Sequence, residues 1–160
     1  MMRSFHHTGI SVPDLEEALR FYCDVLGFEE AMRDDWADSK TDDEIMNLAD
    51  SAGSYALVRL GDTFLELLQF NAPKPLPLDA TRRVSDHGLT HLCFLVDDIQ
   101  GEYERLLKHG VSFLSPPMWN SGEPGVSDGW CCYGHDPFDN VVELLQYAFA
   151  GGPIPQESAG

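Results

Sequence analysis

Apolar and polar positions alternate along this chain with two different periods. In "SFHHTGISV", residues 4–12, Thr8, Ile10 and Val12 fall on one side of an extended backbone, and His7, Gly9 and Ser11 on the other. That period of two predicts a strand with one face suited to lie under a helix. The period then changes. In "VPDLEEALRFYCDVLGFE", Leu15, Ala18, Leu19, Tyr22 and Leu26 recur at helical spacing. Pro13 and Asp14 are start signals, Glu17 follows Asp14 as in a capping box, and Gly27 is a natural C-terminal cap.

Ala31 to Ser54 is acidic and mixed, and reads as a loop with one helical turn around Glu44 to Leu48. "SYALVRLGDTFLELLQF" predicts a hairpin, with strands at 55–60 and 63–70 joined by Gly61-Asp62. The proline-rich "NAPKPLPLDATRRVSD", residues 71–86, reads as an exposed linker. "GLTHLCFLVDDIQGEYERLLKHGVSF" then restates the opening: a strand, an acidic cap at Asp97/Asp98, and a helix closed by Gly110. Ile99, Tyr103, Leu106 and Leu107 form its apolar face. After a Pro/Gly-rich loop at 115–129, "GWCCYGHDPFDNVVELLQY" predicts two strands around Asp136-Pro137. The tail, residues 148–160, is small and polar and is expected to be mobile.

The two halves follow one plan. "HTGISVPDL" aligns with "HLCFLVDDI", placing His7 on His91, and "TFLELLQF" aligns with "NVVELLQY", placing Glu66 on Glu143. Two βαβββ modules, 5–70 and 87–147, are each too small to bury both faces of their strands. The expected fold is therefore α+β, a single domain of two tandem βαβββ modules forming one curved, cup-shaped mixed sheet with helices outside.

Composition narrows the function. The 160 residues carry a net charge of −17 with only ten Lys plus Arg, too few for the basic footprint that nucleic acid or an anionic membrane requires. No apolar run approaches the ~20 residues of a membrane span, and no signal-peptide pattern is found, so a cytoplasmic location is expected. The four cysteines (Cys23, Cys93, Cys131 and Cys132) show no C-x-x-C spacing and read as reduced core or near-core thiols.

The repeat also carries the candidate chemistry. A lone strand histidine is usually a satisfied or half-exposed residue. A glutamate inside "FLELL" is harder to explain, because a buried, unpaired carboxylate is driven to protonate. A His and a Glu repeated at matching positions reduce the scope for coincidence. If the modules are related by pseudo-twofold symmetry, His7, Glu66, His91 and Glu143 converge on the concave face. Two imidazoles and two carboxylates suit a divalent ion of borderline hardness, such as Zn, Ni, Co, Mn or Fe. His6 aligns with Thr90, and strict alternation sends it to the opposite face, as a structural residue.

At these segments the chain resembles the vicinal oxygen chelate superfamily, the glyoxalase/bleomycin-resistance/dioxygenase group, over about residues 5–147. The resemblance implies His7, Glu66, His91 and Glu143 as metal ligands and an open coordination face for a small-molecule substrate. It implies a metal-dependent isomerase or lyase that stabilises an enolate-like intermediate of a small carbonyl or thioester compound, with Glu143 or Glu66 as base. It also implies a homodimer. The look is closest to the methylmalonyl-CoA epimerase-like or glyoxalase-like branch. Ser11 stands where lactoylglutathione lyases usually have an arginine, which weakens a glutathione substrate. Glu44 is a candidate second acid. "DPFDN" replaces the usual "DPDGN" turn, with Asp139 at the glycine position, where Asp tolerates the left-handed conformation. Phe64, Leu68, Phe70 and Trp130 are candidate pocket walls. Two other functions stay open: an Fe(II) extradiol-type dioxygenase, and a metal-free binding or resistance protein whose aromatic walls would also include Trp119 and Tyr147.

Overall fold

The computed structural model describes residues 1–79, 81–121 and 128–149. The chain divides into two compact units, Met1–Pro77 and Leu78–Gly160. In the first, strand β1 (Thr8–Ser11) leads into helix α1 (Leu15–Leu19), which runs on as a π-helical segment (Arg20–Val25). Then come β2 (Glu29–Trp36), α2 (Lys40–Met46), β3 (Ala52–Leu60) and β4 (Thr63–Ala72). The second unit contains β5 (Leu92–Leu95), α3 (Ile99–Leu107), two short strands β6 (Ser112–Phe113) and β7 (Met118–Asn120), then β8 (Gly129–His135) and β9 (Val141–Tyr147). The α+β class and the doubled βαβββ plan are those expected from the sequence. The strands hydrogen-bond as two sheets, one in each unit.

The sheet orders are β1-β4-β3-β2 and β5-β9-β8-β6, with β7 also pairing with β8. In each, the opening strand runs parallel to the closing one, β1 with β4 and β5 with β9. The helix after each opening strand carries the chain across its own sheet to the far-edge strand, β2 or β6, and the chain returns through antiparallel neighbours to the strand beside the first. Local signals start and stop those helices as the sequence indicates. Asp14 accepts the Glu17 N–H at 2.8 Å and Asp98 accepts the Gly101 N–H at 3.0 Å. Gly27 and Gly110 end the helical stretches at φ +82° and +88°, a region that costs glycine least.

A second device was not visible in the sequence. Gln69 Oε1 on β4 accepts the Leu15 N–H at 2.7 Å, and Gln146 Oε1 on β9 accepts the Ile99 N–H at 2.8 Å. Each clips the first turn of a helix to the closing strand of its own sheet and satisfies a backbone donor that helix geometry leaves orphaned. Apolar burial does the rest. Ile10, Val12, Leu65, Leu67, Ala56 and Val58 are buried with Leu15, Ala18, Leu19 and Tyr22 in the first unit. Ile99, Leu106, Val111, Cys132, Val142 and Leu144 form the second core.

The largest departure from the sequence reading is at 31–54. That stretch contains most of strand β2 and the whole of α2 rather than a loop with one turn at Glu44–Leu48. β2 is an edge strand, exposed along nearly its whole length, so it carries no apolar alternation. Its ladder to β3 and ion pairs define it. Arg33 bridges Glu30 at 2.6 Å and Glu16 at 2.7 Å, and Arg59 reaches Glu29 at 2.8 Å. Helix α2 buries no residue, and starts where the Ser39 hydroxyl accepts the Asp42 N–H at 3.2 Å. In the second unit β7 lies within the stretch read as a loop at 115–129, of which residues 122–127 are outside the described residues, as are 150–160 of the tail. The DPFDN turn holds: Asp139 sits at φ 67°, and Asp136 Oδ1 accepts the Phe138 and Asn140 N–H groups at 2.9 and 2.8 Å.

Candidate functional site: two histidine–glutamate pairs

His7 stands just before β1, whose Gly9 pairs with Glu66 of β4. The His7 Nε2 lies 3.4 Å from Glu66 Oε2. A Cβ on Gly9 would stand 3.4 Å from that same oxygen and 3.3 Å from Leu68 Cδ1, so the missing side chain gives the carboxylate its room. The second unit repeats this arrangement. His91 stands just before β5, Cys93 pairs with Glu143 of β9, and His91 Nε2 lies 2.9 Å from Glu143 Oε2. The second pair is the more enclosed: the Glu143 side chain is 13% exposed, against 25% for Glu66.

The outer ring nitrogens are also held. His91 Nδ1 lies 2.8 Å from Thr90 Oγ1, and His7 Nδ1 lies 2.7 Å from His6 Nδ1. His6 therefore departs from the sequence expectation. It stacks on Phe64 at 5.8 Å with an 8° interplanar angle, and Phe64 shares the face of Glu66. Period-two alternation applies only inside a strand, and β1 begins at Thr8, so nothing forces His6 away from His7.

The carboxylates differ in what surrounds them. Leu57 is the residue opposite Glu66, and Tyr133 the residue opposite Glu143. Glu143 acts on both the Tyr133 phenol and the Cys93 thiol, favouring their neutral forms. Burial pushes the Tyr133 phenol up to about 12, and its hydrogen bond to Glu143 adds to the rise. Although Cys93 is exposed by surface area, desolvation around its sulfur is the larger reason its thiol is pushed up to about 12, ahead of the charge on Glu143. Cys131 is raised too, by burial first and then by Glu143. The Tyr133 ring stands edge-on to His91 at 5.1 Å. Tyr133 was missed in the sequence because its role depends on register across β8 and β9. Of the four free cysteines, only Cys132 is fully in a core.

Phe64, Leu68 and Phe70 share the Glu66 face of β4, as expected from alternation. Trp130 does not play the expected part. It pairs with Gln146, so it occupies the opposite face of β8 from Tyr133 and the Glu143 side, where it meets Trp119 edge-on at 5.5 Å. Glu44 is on the exposed helix α2, 3.8 Å from Lys40.

The donor chemistry fits a divalent ion. Two donors about 2.0–2.1 Å from one ion stand about 3.3 Å apart in a tetrahedral shell and about 2.9 Å apart in an octahedral one. The His–Glu separations of 3.4 and 2.9 Å lie close to that range, and are also those of direct ion pairs. Among the described residues, no group of three or more His, Cys, Asp or Glu side chains is placed to hold a metal. Each unit offers one nitrogen and one oxygen donor. Among those residues, no helix is long and apolar enough to cross a membrane.

Residues 4–153 match the family described as the Glyoxalase/Bleomycin resistance protein/Dioxygenase superfamily. The chain is 34% identical to the 2-epi-5-epi-valiolone epimerase of Actinomyces sp over 164 residues, covering 96% of this chain and 84% of that one. It is 31% identical over 115 residues to the mitochondrial methylmalonyl-CoA epimerase of Mus musculus, covering 69% of this chain and 55% of that protein. The fold is similar to that of a glyoxalase family protein from Bacillus cereus, with a TM-score of 0.76 and 20% identity over 91% of this chain and 95% of that one.

Proposed function

Because this chain belongs to the Glyoxalase/Bleomycin resistance protein/Dioxygenase superfamily, we propose that it is an epimerase-type isomerase that moves a proton at a carbon beside a carbonyl. The observation that carries this reading is the repeated pair, His7 with Glu66 and His91 with Glu143, in a chain with epimerase relatives. We propose each pair as ligands to a divalent ion, His7 with Glu66 in the first unit and His91 with Glu143 in the second. When bound, such an ion supplies Lewis-acid polarisation of the substrate carbonyl.

The two carboxylates lie in unlike environments, which divides their roles. Glu143 is the more enclosed, 2.9 Å from His91 Nε2 and beside Tyr133 and Cys93, whose neutral forms it favours. Glu66 faces Gly9, Leu57 and Leu68, none of which has a side-chain donor. Glu66 is therefore the proton carrier: it takes the proton from the substrate carbon as the electron pair moves to the carbonyl oxygen and later yields it to solvent, while a solvent-derived proton reaches that carbon from the opposite face and inverts it. Phe64, Leu68 and Phe70 provide apolar walls beside it. The substrate is a small carbonyl or thioester compound, as the named substrates of the two epimerase relatives are.

Metal analysis of protein grown in supplemented medium tests the ligand set. The expected result is bound divalent ion and a melting temperature lowered by EDTA; metal-free protein with unchanged melting would overturn it. Proton transfer is tested by NMR in D2O with methylmalonyl-CoA and with 2-epi-5-epi-valiolone. Deuterium entering beside the carbonyl of one of them, and its loss in Glu66→Gln, are expected. A Glu66→Gln variant that exchanges at the wild-type rate overturns the carrier assignment.

A further inference from the structure

The outer nitrogen of each candidate ligand histidine meets the residue immediately before it in sequence. In the second unit that residue is Thr90, whose hydroxyl can donate or accept simply by rotating. In the first unit it is His6, and the contact is between two Nδ1 atoms 2.7 Å apart. Two imidazole nitrogens that close require one proton between them: one ring donates and the other accepts. Which ring carries it decides what His7 offers at Nε2. If His7 is the donor, its Nε2 is bare and presents a lone pair on the side of Glu66. If His6 is the donor, neutral His7 carries its proton on Nε2 and cannot ligate there.

The His6 ring has two aromatic neighbours. It lies parallel to Phe64 at 5.8 Å and edge-on to His7 at 5.0 Å and 84°. Phe64 is on β4, two residues from Glu66, so one strand supplies both the carboxylate and the aromatic face that orients His6.

We infer that His6 is a positioning residue. With the ion bound, its Nδ1 accepts the Nδ1–H of His7 and so leaves the His7 Nε2 lone pair to the ion beside Glu66, a part the Thr90 hydroxyl can take for His91. This rests on the proposal that His7 is a metal ligand. The general expectation for such outer partners is a 10–100-fold effect on metal affinity.

The test uses the full chain and zinc in competition with a chromophoric chelator. His6→Phe keeps a ring to stack on Phe64 but deletes the acceptor, and His6→Thr installs the second unit's solution. The expected result is a zinc affinity lowered roughly 10–100-fold in His6→Phe and largely restored in His6→Thr. Long-range 15N–1H spectra of zinc-loaded wild type should show His7 protonated on Nδ1, with Nε2 free of hydrogen. That measurement needs no variant to fold. Zinc affinity in His6→Phe within twofold of wild type, while His7→Ala loses zinc, overturns the role of His6 alone. So does a loaded His7 protonated on Nε2. Wild-type zinc binding that survives His7→Ala undiminished overturns the ligand assignment, and this inference with it.

Discussion

The two histidine–glutamate pairs share a plan but not a setting, and the difference is instructive. Both place a histidine just ahead of a strand and a glutamate on the strand parallel to it. Around Glu66 the neighbours are glycine and leucines. Around Glu143 they are Tyr133 and two cysteines, Cys93 and Cys131. A duplicated fold thus keeps its donors in register while the flanking positions diverge, one pair becoming apolar and open and the other hydrogen-bonded and enclosed. The two carboxylates therefore meet unlike surroundings in otherwise matching frames.

That contrast can be broken most directly at the ligands. His7→Ala and His91→Ala should each abolish divalent-metal binding. Glu143→Ala should cost more affinity than Glu66→Ala, both exceeding the roughly 100-fold upper range of outer-sphere changes. Chelator competition measures this, and a larger loss from Glu66→Ala would reverse the proposed order of the two pairs.

Smaller effects sharpen the comparison. Tyr133→Phe removes a donor from a partly enclosed carboxylate, and should lower stability by about 1–1.5 kcal/mol in chemical denaturation. A variant as stable as wild type would show that the hydroxyl does not hold Glu143. The two glutamine clips are the control, because here the units are alike. Gln69→Ala and Gln146→Ala should each cost about 1 kcal/mol, and a gap between them larger than that would break the equivalence.

The gentlest probe is pH. With the Cys93 thiol raised to about 12, its neutral form is favoured and little thiolate is present at pH 8. Iodoacetamide should therefore label Cys93 more slowly than free cysteine at pH 8, with the rate climbing as pH approaches 12. Labelling at the free-cysteine rate at pH 8 would mean that neither desolvation nor Glu143 acts on that sulfur.

Where a local rule governed the outcome, the sequence was legible. Asp14, Asp98, Gly27 and Gly110 cap and close the helices because capping depends on residues within one turn. The hairpin around Gly61 and the turn through Asp139 follow from backbone preferences of a few residues. Strand β2 was illegible because burial does not define it: an edge strand exposed on both faces has no apolar period to detect. His6 was misplaced because alternation was extended one residue before the strand that enforces it. Trp130 was misplaced because its aromatic character was weighed without the register that assigns its face.

By itself, then, the sequence determined the doubled βαβββ plan, the helix boundaries and the four repeated residues His7, Glu66, His91 and Glu143 as candidates. These depend on period, capping and internal repetition, all written in short stretches of chain. Only the tertiary structure decided which nitrogen of each histidine turns toward a carboxylate, that His6 and Thr90 hold the other nitrogen, and that Tyr133 and Cys93 restrain Glu143. Tyr133 and Cys93 reach Glu143 from other strands, and each histidine meets its glutamate from just ahead of the parallel strand. The His6 ring also stacks on Phe64 of β4, a contact that no local pattern records.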